Sequence, residues 1–282
     1  MKNQHLFKPK IVKFDAIKLP TYPISISQLP ALGDRKFITI QLQANTLLEK
    51  ALGWTDKQVA NTAILLLILD GSLVTPEMKL ERGSLASLSK INEVFASQEG
   101  CTLGLIAWSL QDSTIPEHMS YHCPQLLWYD KYEAWVGKLN FDVYGSDFLF
   151  PWNGYAIKIP SQENQQEKKA CLHIHKRLKN LIFIQGSSAA TVGYLVVEDD
   201  GHYIAWPLRS GDVILVQPGV KHNLVSADNG EALQFFVFND TPSDYQEPET
   251  SDYHVLDCIP WHKVTIASRP HPESLMVNVG VA

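Results

Sequence analysis

"CLHIHKRLKNLIFIQG", residues Cys171 to Gly186, carries two histidines one residue apart and closes on a glycine. Side chains at i and i+2 of a strand leave the backbone on the same side. If this stretch is a strand, the imidazoles of His173 and His175 stand side by side on one face, a geometry that can grip an ion. Histidine pairs are also ordinary on solvated strand faces. The reading therefore turns on whether the chain brings a third ligand to them.

"GDVILVQPGVKHNLV", Gly211 to Val225, supplies that candidate. An apolar strand runs into Pro218-Gly219, residue types that force a chain reversal. His222 follows three residues later and opens the next strand, where it can face the His173/His175 pair. Three neutral imidazoles converging in a small barrel suit Fe(II), Mn, Ni, Cu or Zn and leave positions open for other ligands.

Together these two patterns, HxH…G and GDxxxxxPGxxH, resemble the two motifs of the cupin superfamily, whose fold is a double-stranded β-helix or jelly roll. His173 and His175 match the first histidine pair, and Gly186 matches the closing glycine. Gly211 and Gly219 match the glycines of the second motif, and His222 its histidine. Pro218 stands one place later than the most usual proline. The match spans about residues 168 to 240. In the family a glutamate follows the first pair about four residues on. Here Lys179 holds that place, with Asn180 beside it. An ammonium near a divalent cation is repelled. The resemblance thus implies either a three-histidine centre with Lys179 turned outward or a barrel that does without metal.

The remaining chain reads as more β structure. Short apolar runs such as "KFITIQL", "ILLLILDG", "TLGLIAWSL", "TVGYLVVEDDG" and "ALQFFVFND" alternate with turn residues. "VVEDDGHYIAW" predicts a hairpin turning at Asp200-Gly201. Helical patterning is confined to "LQANTLLEKAL" and "TDKQVANTA" near Thr55. A faint internal repeat relates "ILLLILDG…LERGSLASL" to "NLIFIQG…LRSGDVILV", with Gly71, Arg82 and Gly83 echoing Gly186, Arg209 and Gly211. Where the repeat calls for the third histidine, the first copy offers Glu93 and Val94.

These readings predict an all-β protein of two jelly-roll barrels with a few short helices. Residues 1–115 form a degenerate cupin-like barrel and 116–150 an aromatic connecting segment that packs across or between the units. Residues 151–260 form the barrel bearing the metal ligands, and 261–282 a tail. The acidic stretch "TPSDYQEPETSDYH" reads as a surface crossing.

Composition narrows the function. The chain has 282 residues, enough for a sizeable core, and a formal charge of −6 without a basic cluster, which argues against nucleic acid. No apolar stretch is long enough for a membrane span and no secretory signal is evident, so the expectation is a cytoplasmic protein. The four cysteines lie far apart without a CxxC and read as reduced thiols. The resemblance implies one divalent transition metal, Fe(II) favoured, and a small-molecule ligand or substrate. It also admits a homodimer. The leading function is a three-histidine non-haem iron dioxygenase acting on a small organic substrate. The alternatives are an isomerase or lyase using the metal as Lewis acid, and a non-catalytic binding or sensor protein. Other polar residues carry weaker signals. His118 and His122 near Cys123 read as an irregular surface segment in preference to a minor metal motif, His202 as exposed, and Glu198 and Glu231 as turn residues that are at most candidate carboxylate ligands, while Trp128, Trp135 and Trp152 read as packing between units in preference to pocket walls. Arg177 is in phase with the histidine pair and is placed in water past the strand end.

Overall fold

The structure, a computed structural model, describes residues 10–12, 24–28, 35–53, 62–88, 93–109, 120–122, 124–139, 153–162, 168–175, 180–186, 190–199, 201–216, 219–239 and 253–268. In chain order the strands are β1 (Lys10–Val12), β2 (Ile24–Gln28), β3 (Arg35–Leu42), β4 (Thr62–Val74), β5 (Lys79–Glu81), β6 (Leu85–Leu88) and β7 (Phe95–Ser109). There follow β8 (Ser120–His122), β9 (Leu127–Tyr129), β10 (Ala134–Leu139), β11 (Asn153–Ile159), β12 (Lys169–His175), β13 (Asn180–Gln185) and β14 (Gly193–Asp199). The last are β15 (His202–Leu208), β16 (Val213–Val216), β17 (His222–Ser226), β18 (Leu233–Asn239), β19 (Tyr253–Pro260) and β20 (Val264–Ile266). A short helix α1 (Leu48–Leu52) ends at Gly53 in the left-handed conformation. The fold is all-β, as the short apolar runs predict. The stretch "TDKQVAN" of the second predicted helix lies outside the described residues.

Three sheets layer the molecule. The first runs β2-β3-β7-β4-β6-β8, with β5 on β4; the second β1-β16-β13-β18-β11-β10-β9; the third β19-β12-β17-β14-β15-β20. The middle sheet is covered on both faces, and this explains why its strands read as unbroken apolar runs rather than alternating ones. Along β13, Leu181 and Phe183 join Leu65, Leu67, Leu69 and Ile106 of the first sheet in one buried cluster. Ile182 and Ile184, pointing the other way, join the interior of the C-terminal barrel with Leu195, Leu224, Phe235 and Val237. β18 divides likewise, Phe236 and Phe238 toward the first sheet, Phe235 and Val237 into the barrel. Gly104 makes the sheet contact close: a β-carbon there would stand 2.8 Å from the ring of Phe183.

The repeat seen in the sequence is a repeat of backbone hydrogen bonds. In the first unit Gly83 donates to the Ile68 carbonyl and Ile68 to that of Ser84, both at 2.9 Å. In the second, Gly211 donates to Ile184 at 3.0 Å and Ile184 to Asp212 at 2.9 Å. Gly83 and Gly211 both have positive φ, at 89° and 81°, which glycine adopts without steric cost. Residues 127–139 of the aromatic segment extend the middle sheet as β9 and β10, the latter pairing β11. The predicted hairpin is β14–β15, turning at Gly201 with φ 78°.

Two findings depart from the sequence reading. Cys171 and Cys258 form a disulfide between β12 and β19, against the expectation of reduced thiols; Cys101 is free and buried. The partners are 87 residues apart and become neighbours only through the pairing of those strands. Such cross-links persist in oxidising compartments. Residues 261–266, assigned to a tail, pack against the third sheet: β20 pairs parallel with β15 and Trp261 is buried against Ala170 and Val225. Trp261 also covers Lys168, whose fully buried ammonium stands 4.1 Å from the indole and donates to Ser226 at 3.0 Å and to Asp228 at 2.5 Å. Among the described residues, no helix is long and apolar enough to cross a membrane.

Candidate metal centre

β12 and β17 are neighbours in the third sheet, and His173 pairs directly with His222 across them. Cross-strand partners share a face, and so do residues two apart on one strand. Both rules therefore send the rings of His173, His175 and His222 into the barrel. Their ligand atoms all lie within 4.8 Å of one another. The ring centroids stand 4.3 Å apart for His173 and His222, 5.1 Å for His173 and His175, and 5.6 Å for His175 and His222. Imidazole nitrogens on one ion lie about 2.0–2.1 Å from it, so the three stand near, and somewhat wider than, the spacing of ligands that share an ion.

The backbone fixes this arrangement. Gly219, with φ 82°, donates to the His175 carbonyl at 2.7 Å and ties the second-motif turn to the end of β12. His222 Nδ1 lies 2.9 Å from the Val220 carbonyl. A carbonyl only accepts, so Nδ1 carries the proton and Nε2 keeps its lone pair for a ligand. Burial holds His222 down to about 4, with the Val220 bond opposing it. Burial, then His222 and His175, holds His173 well below the ordinary imidazole range. Neutral rings are the form that coordinates. The set fits a divalent transition ion.

The histidines open on a cavity of about 270 Å³. Its walls are mainly apolar: Val136, Ile157, Ile159, Ile182, Leu224, Phe235 and Val237. Tyr129, Tyr132 and Tyr155 add phenols, and Asn180 and Asn223 add amides. Burial, reinforced by Tyr155 and Tyr129, pushes the Tyr132 phenol up and keeps it protonated.

No protein-family model matches the sequence, and no curated protein is significantly similar to it. Solved structures do share its architecture. Lactobacillus farciminis oxalate decarboxylase, solved as a formate complex, aligns with TM-score 0.50 at 11% identity, covering 83% of this chain and 84% of that one. The chain shares that protein's fold. Momordica charantia 7S globulin aligns with TM-score 0.49 at 10% identity over 84% of this chain and 83% of its own. An S161A mutant of Bacillus subtilis oxalate decarboxylase gives 0.47 at 12%, over 78% and 74%. At these identities the likeness is one of fold.

Other residues singled out in the sequence lie elsewhere. Lys179, Arg177, Pro218, His118, Cys123 and Trp152 fall outside the described residues. His122 is on β8, at the edge of the first sheet. His202 is exposed at the start of β15, and Glu231 is exposed after a turn. Glu198 is held by Lys221 at 2.7 Å and is not part of the histidine group. Trp128 is exposed on the outer strand β9, against Trp135 at 4.8 Å, rather than packed between units. Asn180 and the tyrosines are the cavity groups that sequence reasoning passed over. Their signal was phase: Asn180 stands two residues before Ile182, on the inward face of β13.

Proposed function

We propose that His173, His175 and His222 hold one divalent transition ion, Fe(II) by preference, and that the C-terminal barrel is a non-haem dioxygenase acting on a small organic molecule. The observation that carries this reading is the convergence of three imidazoles, His175 and His222 buried and His173 partly so, at the wall of a cavity large enough for a ligand. Three nitrogen donors leave further coordination positions open, as metal-assisted oxygen chemistry requires. When bound, the ion supplies the electron chemistry. The chain's own residues supply the rest. The Val220 carbonyl holds the His222 tautomer, the apolar walls exclude water and limit side reactions, and the phenols and amides orient what enters.

Elemental analysis of protein purified without chelator or nickel resin tests the metal. We expect close to one equivalent per chain, and a severalfold loss in His222→Ala. A variant that keeps full metal contradicts the site. Oxygen uptake by Fe(II)-loaded protein, over a panel of thiols, diketones and aromatic acids, tests the activity. Uptake that depends on all three histidines supports it. Metal without uptake favours the Lewis-acid or binding alternatives.

A further inference from the structure

We infer that the Cys171–Cys258 bond is a thiol-responsive latch on the strand that carries His173 and His175, so that a dithiol reductant weakens the hold of the histidine group on a metal ion. This rests on the reading of the three histidines as a metal site. β12 pairs with β19 along its length, from Lys169 opposite Pro260 to His175 opposite Tyr253. With β17, its other neighbour, it pairs only at His173 and His222 among the described residues. β19 is the outer strand of that sheet, with no further strand beyond it among the described residues. The strand that supplies two of the three ligands is thus held mainly by an edge strand, which has fewer partners to resist local opening. The bond staples the pair at Cys171 opposite Cys258, just where the register between the strands shifts before His173. Cys171 stands two residues before His173 and so shares the face of the imidazoles, while Ala170 and Leu172 point the other way, into the cluster with Trp261. Cys258 is exposed and Cys171 partly so, within reach of a small thiol. In the exchange the dithiol gives up two electrons and two protons and leaves as its own disulfide, and Cys171 and Cys258 become thiols. The strands keep their ladder but lose the covalent limit on its opening. Coupling between two sites is reciprocal, so an ion on the histidines must in turn protect the bond.

Full-length protein is reduced with dithiothreitol, freed of it by anaerobic gel filtration, and assayed for thiols, which should rise by two per chain. Oxidised, reduced and reoxidised protein, with Cys171→Ser/Cys258→Ser, are compared by anaerobic Fe(II) calorimetry and, metal-free, by amide hydrogen exchange. We expect the reduced protein and the double variant to bind Fe(II) about tenfold more weakly, and reoxidation to restore the affinity. Exchange should quicken over residues 169–175 and 253–260 more than over β14. Saturating Fe(II) should shift the dithiol equilibrium toward the bonded form by the same factor of about ten. The inference is overturned by equal Fe(II) affinity in the two forms, by tighter binding on reduction, which would make the thiols ligands, or by a bond that the dithiol does not open in folded protein. Global unfolding on reduction overturns it too, since the bond would then be a staple of the whole barrel. If no form binds Fe(II), the metal reading fails, and exchange alone decides the latch: local quickening over β12 and β19 sustains it, and unchanged exchange removes it. Should the double variant not fold, reduced and reoxidised wild type still decide.

Discussion

The two units share a frame and differ in what fills it. Each closes its strands with the same pair of backbone hydrogen bonds, around Gly83 in one and Gly211 in the other. Eleven residues on, counted from those glycines in the sequence, stand Val94 and His222. Val94 is 2% exposed within an aliphatic cluster of Ile40, Leu48, Leu66, Leu103 and Leu105. His222 is 1% exposed and faces two more imidazoles and a cavity. The jelly-roll frame thus stands without the histidines. An interior closed with leucine and isoleucine gains burial, whereas one that keeps polar groups around an open space gives up part of that gain for chemistry.

The strongest way to break this comparison is to remove what distinguishes the second unit. A His173/His175/His222→Ala variant should lose at least nine-tenths of its metal, measured by elemental analysis. Stoichiometric metal in that protein would place a site elsewhere and end the contrast between units. Next in size is the joint between them. Phe183→Ala empties a ring that packs against the Gly104 backbone and the leucines of β4, and should cost about 3–5 kcal/mol in denaturant unfolding. A cost under about 1 kcal/mol would show that the two units hold together by other contacts.

A smaller effect is expected from the cross-link, which only the second unit has among the described residues. Cys171→Ser with Cys258→Ser should lower stability by about 2–4 kcal/mol and leave a protein indifferent to reductant. Wild type should lose a similar amount on reduction. If the double variant and wild type unfold alike in oxidising buffer, the bond contributes nothing to the barrel. The smallest effect sharpens the contrast in interiors. Val94→Thr, nearly isosteric, buries a hydroxyl in an aliphatic cluster and should cost about 1–3 kcal/mol without changing metal content. A neutral outcome would mean that this interior tolerates polar groups as the second unit's does.

Much was legible in local pattern. The i, i+2 spacing of His173 and His175 determined a shared face as soon as the segment was a strand, because strand periodicity is a property of the backbone. The Gly-rich turn before His222 determined a reversal, and the apolar runs determined an all-β protein. Other features depend on which strands become neighbours. The Cys171–Cys258 bond needs β12 beside β19, a pairing across 87 residues that no spacing rule encodes. The doubly buried middle sheet needs two units to meet, so "NLIFIQ" reads only as apolar until Leu181 and Phe183 are seen facing one unit, and Ile182 and Ile184 the other. Asn180 was visible as a letter next to Lys179, but only the tertiary structure set it in the wall of the histidine cavity. Local alternation says that two residues share a side; which side becomes a core, a cavity or an interface is settled by long-range contacts.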